Sequence, residues 1–134
     1  MAILGIPSTY QPGASYQFAV RLARAQLKRG GFELTARLAD GVHAGAQAGS
    51  LEPIDDRVNV ADTVVGSYGA VRYARHTHAG SLPTNADTVQ WSVRWTAPTS
   101  GSVVFHVAAN AGNDDNSPLG DYIYVAKLNT GRSP

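Results

Sequence analysis

Asn110, Asn113, Asp114, Asp115, Asn116 and Asp121 crowd oxygen-bearing side chains into one short stretch. Clustered carboxylate and amide oxygens are the chemistry calcium prefers. The spacing does not follow an EF-hand. Counting from Asp115, Gly120 reaches the sixth position, but Leu119 falls at the fifth and Ala126 at the twelfth, where ligands are needed. The same residue types also build long turns, because Asn and Asp bond the local backbone and glycine permits positive φ. Asp114 and Asp115 are therefore kept as weak calcium candidates inside a loop read as structural. Asp121 follows Gly120 at the start of an apolar run, where its carboxylate is expected to accept backbone N–H groups and pin the loop.

His76 and His78 form the second constellation. On a strand, residues two apart project to one face, and two imidazoles so placed can share a metal. No third ligand is visible, so no metal is assigned to them. The plainer reading makes His76 a hydrogen-bonded structural residue at a strand end and His78 a solvent-facing one. His106, between Phe105 and Val107, points to the wetter face of its strand, and His43 lies in a Gly/Ala loop.

Catalytic patterns are weaker. There is no G-x-S-x-G elbow, and no G-K-S/T follows the glycines. Asp55-Asp56 and Asp114-Asp115 are adjacent pairs, which on an extended chain point apart and so make poor acid/base couples. Arg21, Arg24, Lys28 and Arg29 read as a solvated basic face. Tyr10, Tyr68 and Tyr73 could stack on sugar rings if exposed, with core or rim packing as the default. No catalytic residue is assigned, and the chain is read as not an enzyme.

Composition bounds the rest. The 134 residues are 43% hydrophobic and 16% charged, with a formal net charge of +1 and no cysteine. That is enough chain for one buried core without staples. Disulfides and thiolate metal sites are excluded, and so small a charge gives no reason to expect nucleic acid as a partner. No run approaches the roughly 18–20 apolar residues of a membrane span, and Met1-Ala2-Ile3-Leu4 lacks the basic start and apolar core of a signal peptide. The chain is thus either cytosolic or has had a leader replaced by an initiating Met.

The elements that must position these side chains are strands. In D-T-V-Q-W-S-V-R-W-T-A-P, Val89, Trp91, Val93 and Trp95 alternate with polar neighbours, which places both Trp on a dry face as core-forming structural residues. Tyr16, Phe18, Val20 and Leu22 alternate likewise, as do Phe32, Leu34, Ala36 and Leu38, and Val103, Phe105 and Val107. Residues 19–29 have helical propensity, but alternation decides for a strand with a turn around Gln26 to Arg29. The run Tyr122 to Leu128 is apolar on both faces near Ile123 and Val125, so both sides are expected to be covered, at least in part. Turn chemistry falls at Pro12-Gly13, Gly30-Gly31, Asp40-Gly41, Pro98 to Gly101 and the Asn110 to Gly120 loop. Gly41 to Gly69 reads as a mobile loop or irregular edge lying on the sheet, with a strand near Val58 to Val65. Short strands with Gly/Pro turns predict an antiparallel β-sandwich.

Five blocks, in order, resemble Reeler-type domains, named after the N-terminal module of reelin, and their bacterial relatives. They are G-I-P-S-T-Y-Q-P-G-A-S-Y (5 to 16), G-F-E-L-T-A (31 to 36) followed by D-G and A-G, His76-Thr77 with Gly80, W-S-V-R-W-T-A-P (91 to 98), and A-A-N-A-G-N-D-D-N-S-P-L-G-D-Y-I-Y (108 to 124). The resemblance implies an all-β, immunoglobulin-like sandwich over residues 1–134, excised from a longer exported protein whose leader has been removed. It implies a secreted, periplasmic or cell-surface location and brings no catalytic activity. Some bacterial relatives carry a heme-binding C-x-x-C-H motif; with no cysteine here, no cofactor is expected. The functional expectation is a non-catalytic extracellular binding or adhesion module with a protein or glycan partner. The alternative is a structural module that assembles through its edge strands with itself or with neighbouring domains.

Overall fold

The computed structural model describes residues 1–66, 69–112 and 122–134. The strands are β1 (Ala2–Leu4), β2 (Thr9–Tyr10), β3 (Ser15–Ala23), β4 (Arg29–Leu38), β5 (Ser50–Pro53), β6 (Val58–Val64), β7 (Ala70–His76), β8 (Thr88–Thr96), β9 (Val103–Gly112) and β10 (Tyr122–Arg132). They form two sheets, ordered β1-β3-β8-β5 and β2-β10-β9-β4-β7-β6. Among the described residues every strand pair is antiparallel except β2 with β10, which run parallel through Gly131 opposite Thr9 and Arg132 opposite Tyr10. Among the described residues the helical structure is confined to short turns such as the 3-10 segment Ala79–Ser81, and no helix is long and apolar enough to cross a membrane. The fold is an all-β sandwich.

Alternation places the core between the sheets. Phe18, Val20 and Leu22 of β3, Val89, Trp91, Val93 and Trp95 of β8, and Leu34, Phe105 and Val107 of the facing sheet are buried in one cluster. Phe32 stacks on Trp91 at 4.6 Å, while Phe105 and Tyr10 meet Trp95 edge-on at 4.9 and 5.6 Å. Buried indole N–H groups need acceptors. Trp91 donates to the Gly80 carbonyl at 2.8 Å and Trp95 to the Ala48 carbonyl at 3.0 Å. The chain leaves β3 as a strand and turns at Arg24, whose carbonyl accepts from Leu27 N–H at 3.1 Å.

Four expectations change. Gly30 and Gly31 lie inside β4, not in a turn. A Cβ on Gly30 would come within 2.6 Å of Val89 Cγ1, and one on Gly31 within 2.7 Å of the His76 ring, so these glycines serve close packing across the sandwich and over the sheet. Asn110 to Gly112, read as the start of a loop, are the end of strand β9, where they pair with β4. The segment read as a loop or irregular edge supplies the edge strand β5, paired with β8. Ile123 and Val125 are not covered: they are 80% and 77% exposed. Tyr124, Ala126 and Leu128 take the inward positions of β10, so the intervening residues face outward, and no layer lies over that side of the sheet among the described residues.

Candidate functional site

The outer face of the six-stranded sheet is built by the residues that β4, β9 and β10 turn away from the core. Strand register sets them in rungs. Thr35 lies opposite His106, and His106 opposite Lys127. One step along, Glu33 lies opposite Ala108 and Ala108 opposite Val125. A further step brings Gly31, Asn110 and Ile123 together. Small residues in the middle strand leave a depression. A groove of about 490 Å³ runs past Thr35, Tyr73, His106, Ala108, Val125 and Lys127. A second, of about 370 Å³, continues it past Gly31, His76 and Ile123, with Glu33 and Ala108 shared.

The face is electrically asymmetric. Arg37, His106 and Lys127 gather at one end. Burial lowers the His106 pKa from its ordinary value, and the nearby positive charges of Lys127 and Arg37 push it the same way. Glu33 sits towards the other end and pairs with Arg75 at 3.5 Å. Between them Thr35 is only 4% exposed, and its hydroxyl has no hydrogen-bond partner. A buried polar atom without a partner costs about 1–3 kcal/mol, so its presence calls for an explanation.

The residues singled out from sequence are dispersed. Strand β7 stops at His76, and His78 begins the 3-10 turn, so the two histidines do not continue along one strand face. His76 Nδ1 accepts the Phe32 N–H at 3.1 Å, which ties the end of β7 to β4. His78 and His43 are exposed. Among the described residues no three His, Asp or Glu side chains come together to hold a metal. Asp114, Asp115 and Asp121 lie outside the described residues. Asp55 accepts the Arg57 N–H at 2.9 Å within a turn. Arg24 lies 3.1 Å over the Tyr122 ring and Arg29 bonds Ser81 at 3.0 Å, so the basic set does not act as one patch. Tyr10 is buried, with its hydroxyl on the Gly101 carbonyl at 2.5 Å, and Tyr73 is half-buried on the outer face. Tyr68 is not among the described residues.

Arg57 carries a structural role that sequence reading missed. Its guanidinium donates to the carbonyls of Ala79 at 3.0 Å, Gly80 at 3.2 Å, Leu82 at 2.8 Å and Gln90 at 3.4 Å. Thr77 Oγ1 accepts from Gly80 N–H at 3.1 Å, and a Cβ on Gly80 would run into the Arg57 carbonyl. This knot delivers the Gly80 carbonyl to Trp91 and gives the His76-Thr77…Gly80 pattern its physical content. Nothing in the local sequence marks Arg57. The apolar outer phase of β10 at Ile123 and Val125, by contrast, is visible in the sequence, though it reads there as covered and not as exposed.

The fold so described is that of the reeler domains. The human F-spondin reeler domain superposes with a TM-score of 0.55 at 20% identity, covering 96% of this chain and 87% of its own. A second structure, of the Reelin-N domain of F-spondin, gives 0.55 at 19% identity and covers 99% and 87%. A cohesin module from the Clostridium perfringens family 33 glycoside hydrolase gives 0.51 at 12% identity, covering 98% and 96%. No family model and no curated protein matches the sequence. The chain has a Reeler-like β-sandwich fold.

Proposed function

We propose that this chain is a non-catalytic binding module that works outside the cell, as one domain of a longer exported protein, and captures a protein partner on the outer face of its six-stranded sheet. The observation that carries the reading is the exposure of Ile123 and Val125 beside a groove floored by Ala108. Large aliphatic side chains adjacent on one strand face and almost wholly in water are what an interface leaves when its partner is absent. Protein is favoured over glycan because the aromatic on this face, Tyr73, is half-buried while the exposed surface is aliphatic. Support for the class comes from the shared sandwich of the reeler and cohesin modules.

A second reading is assembly through open strand edges. It is favoured by β6, the edge of the six-stranded sheet, where Val64 is also largely exposed. One experiment separates the two. The immobilised domain is offered the secreted proteins of its own organism, and the bound partner is titrated against the parent and an Ile123→Thr/Val125→Thr variant. Threonine keeps β-branching, so folding stability should stay within about 0.5 kcal/mol. Saturable binding that the variant loses at least tenfold supports capture. Concentration-dependent self-association unaffected by the variant, with no partner bound, would replace it with edge assembly.

A further inference from the structure

The cationic end of the outer face has the parts of an anion site and stands beside an apolar band. Thr35 is 4% exposed, its hydroxyl has no hydrogen-bond partner, and the residue lines the groove. His106 and Lys127 continue its rung, and Arg37 on the same strand as Thr35 lies near enough to act on His106. A carboxylate placed there accepts from Lys127 and, once a side-chain shift uncovers it, from the Thr35 hydroxyl, which satisfies a buried polar atom of this face. Resting on the docking reading above, we propose that the Thr35–His106–Lys127 rung with Arg37 is a carboxylate subsite that receives an acidic side chain of an extended protein segment. The apolar side chains of that segment lie over Ala108 and Val125 and over Ile123.

Geometry sets the spacing. Successive rungs are two residues apart along each strand, about 7 Å at roughly 3.4 Å per residue. An extended segment crossing three rungs therefore offers side chains at alternate positions, acidic at one end and apolar at the next two. Charge excludes the reverse pattern and disfavours a polyanion. Glu33 stands on the rung next to the subsite, so a chain that repeats a negative charge at every unit would set one against Glu33 and another over Ile123. The occupant is thus an amphipathic peptide segment with a single acid, not a sulfated polysaccharide.

The test uses a random heptapeptide library displayed on phage, selected against the whole chain. Expected is enrichment of Asp or Glu two residues from the first of two alternating aliphatic positions. A synthetic peptide of that pattern, followed by NMR, should shift Thr35, His106 and Ala108 together and bind about 3- to 10-fold more tightly than its Asp→Asn analogue, the range for one partly solvated charged contact. Lys127→Glu, an exposed substitution that leaves the fold intact, should abolish the preference for the acid. Enrichment of aliphatic peptides with no acid, binding equally before and after Lys127→Glu, overturns the subsite and leaves the docking face standing. Absence of any enrichment that depends on Ile123 and Val125 overturns the docking reading itself. A heparin disaccharide that shifts Thr35 and His106 more tightly than the peptide, and is indifferent to Ile123→Thr/Val125→Thr, overturns the choice of a protein segment.

Discussion

Replacing Trp91 by Ala tests the sandwich at its most connected point. The indole is fully buried, stacks on Phe32 at 4.6 Å with an interplanar angle of 19°, and covers Gly30. Its N–H holds the Gly80 carbonyl at 2.8 Å, while Arg57 reaches the same oxygen at 3.2 Å. Truncation removes an aromatic between the sheets and leaves a cavity whose walls belong to paired strands and cannot close freely. Losses of about 3–5 kcal/mol are usual for such changes. Against a domain stability of roughly 5–15 kcal/mol, that is a large fraction of the total. Trp91→Phe separates the contributions, since the ring stack survives and Gly80 keeps its bond from Arg57. It should cost less, with about 0.5–1.5 kcal/mol of the loss from the hydrogen bond. Urea unfolding followed by circular dichroism gives both numbers, and an unchanged slope confirms that stability alone has moved. An Ala variant within about 0.5 kcal/mol of the parent, the size of a surface substitution, would refute the placement of Trp91 between the sheets.

Gly49 has φ +72°, and a Cβ there would meet the Thr96 carbonyl, so Gly49→Ala should destabilise far more than Gly13→Ala, which has positive φ but open space around it; paired urea melts check this. His106 has a folded pKa below its unfolded value of about 6.5, so the unfolded chain takes up the proton first. That part of stability should be full above pH 6.5, fall as pH drops through 6.5 towards the folded pKa, and level off below it. His106→Gln should flatten the difference between melts at pH 7.5 and pH 5. Calcium, zinc or EDTA should move the melting temperature little; a rise of several degrees with calcium that vanishes in Asp114→Asn/Asp115→Asn would make the residues around Asp114 and Asp115 a metal site. Asp121→Ala should cost on the order of 1–3 kcal/mol and Asp121→Asn less, because an amide oxygen still accepts a bond; faster proteolysis between residues 113 and 120 would read the same loss.

Period-two alternation determined which residues of β3, β4, β8 and β9 lie inside, because a strand can bury only one of its two side-chain sets. It also fixed His106 on the outer face. It could not say whether a second layer covers that face, since burial there depends on what the rest of the chain does. Ile123 and Val125 were read as covered for want of that knowledge, and tertiary structure leaves them in water. Gly30-Gly31 has the composition of a turn, and only tertiary packing, with Val89 and Trp91 of the opposing sheet against Gly30 and His76 of the neighbouring strand over Gly31, makes it part of a strand. The candidate subsite is invisible along the chain. Thr35, His106 and Lys127 are far apart in sequence, and only the register of three paired strands sets them on one rung. A hydroxyl that looks ordinary in sequence becomes notable only when folding buries it and supplies no partner.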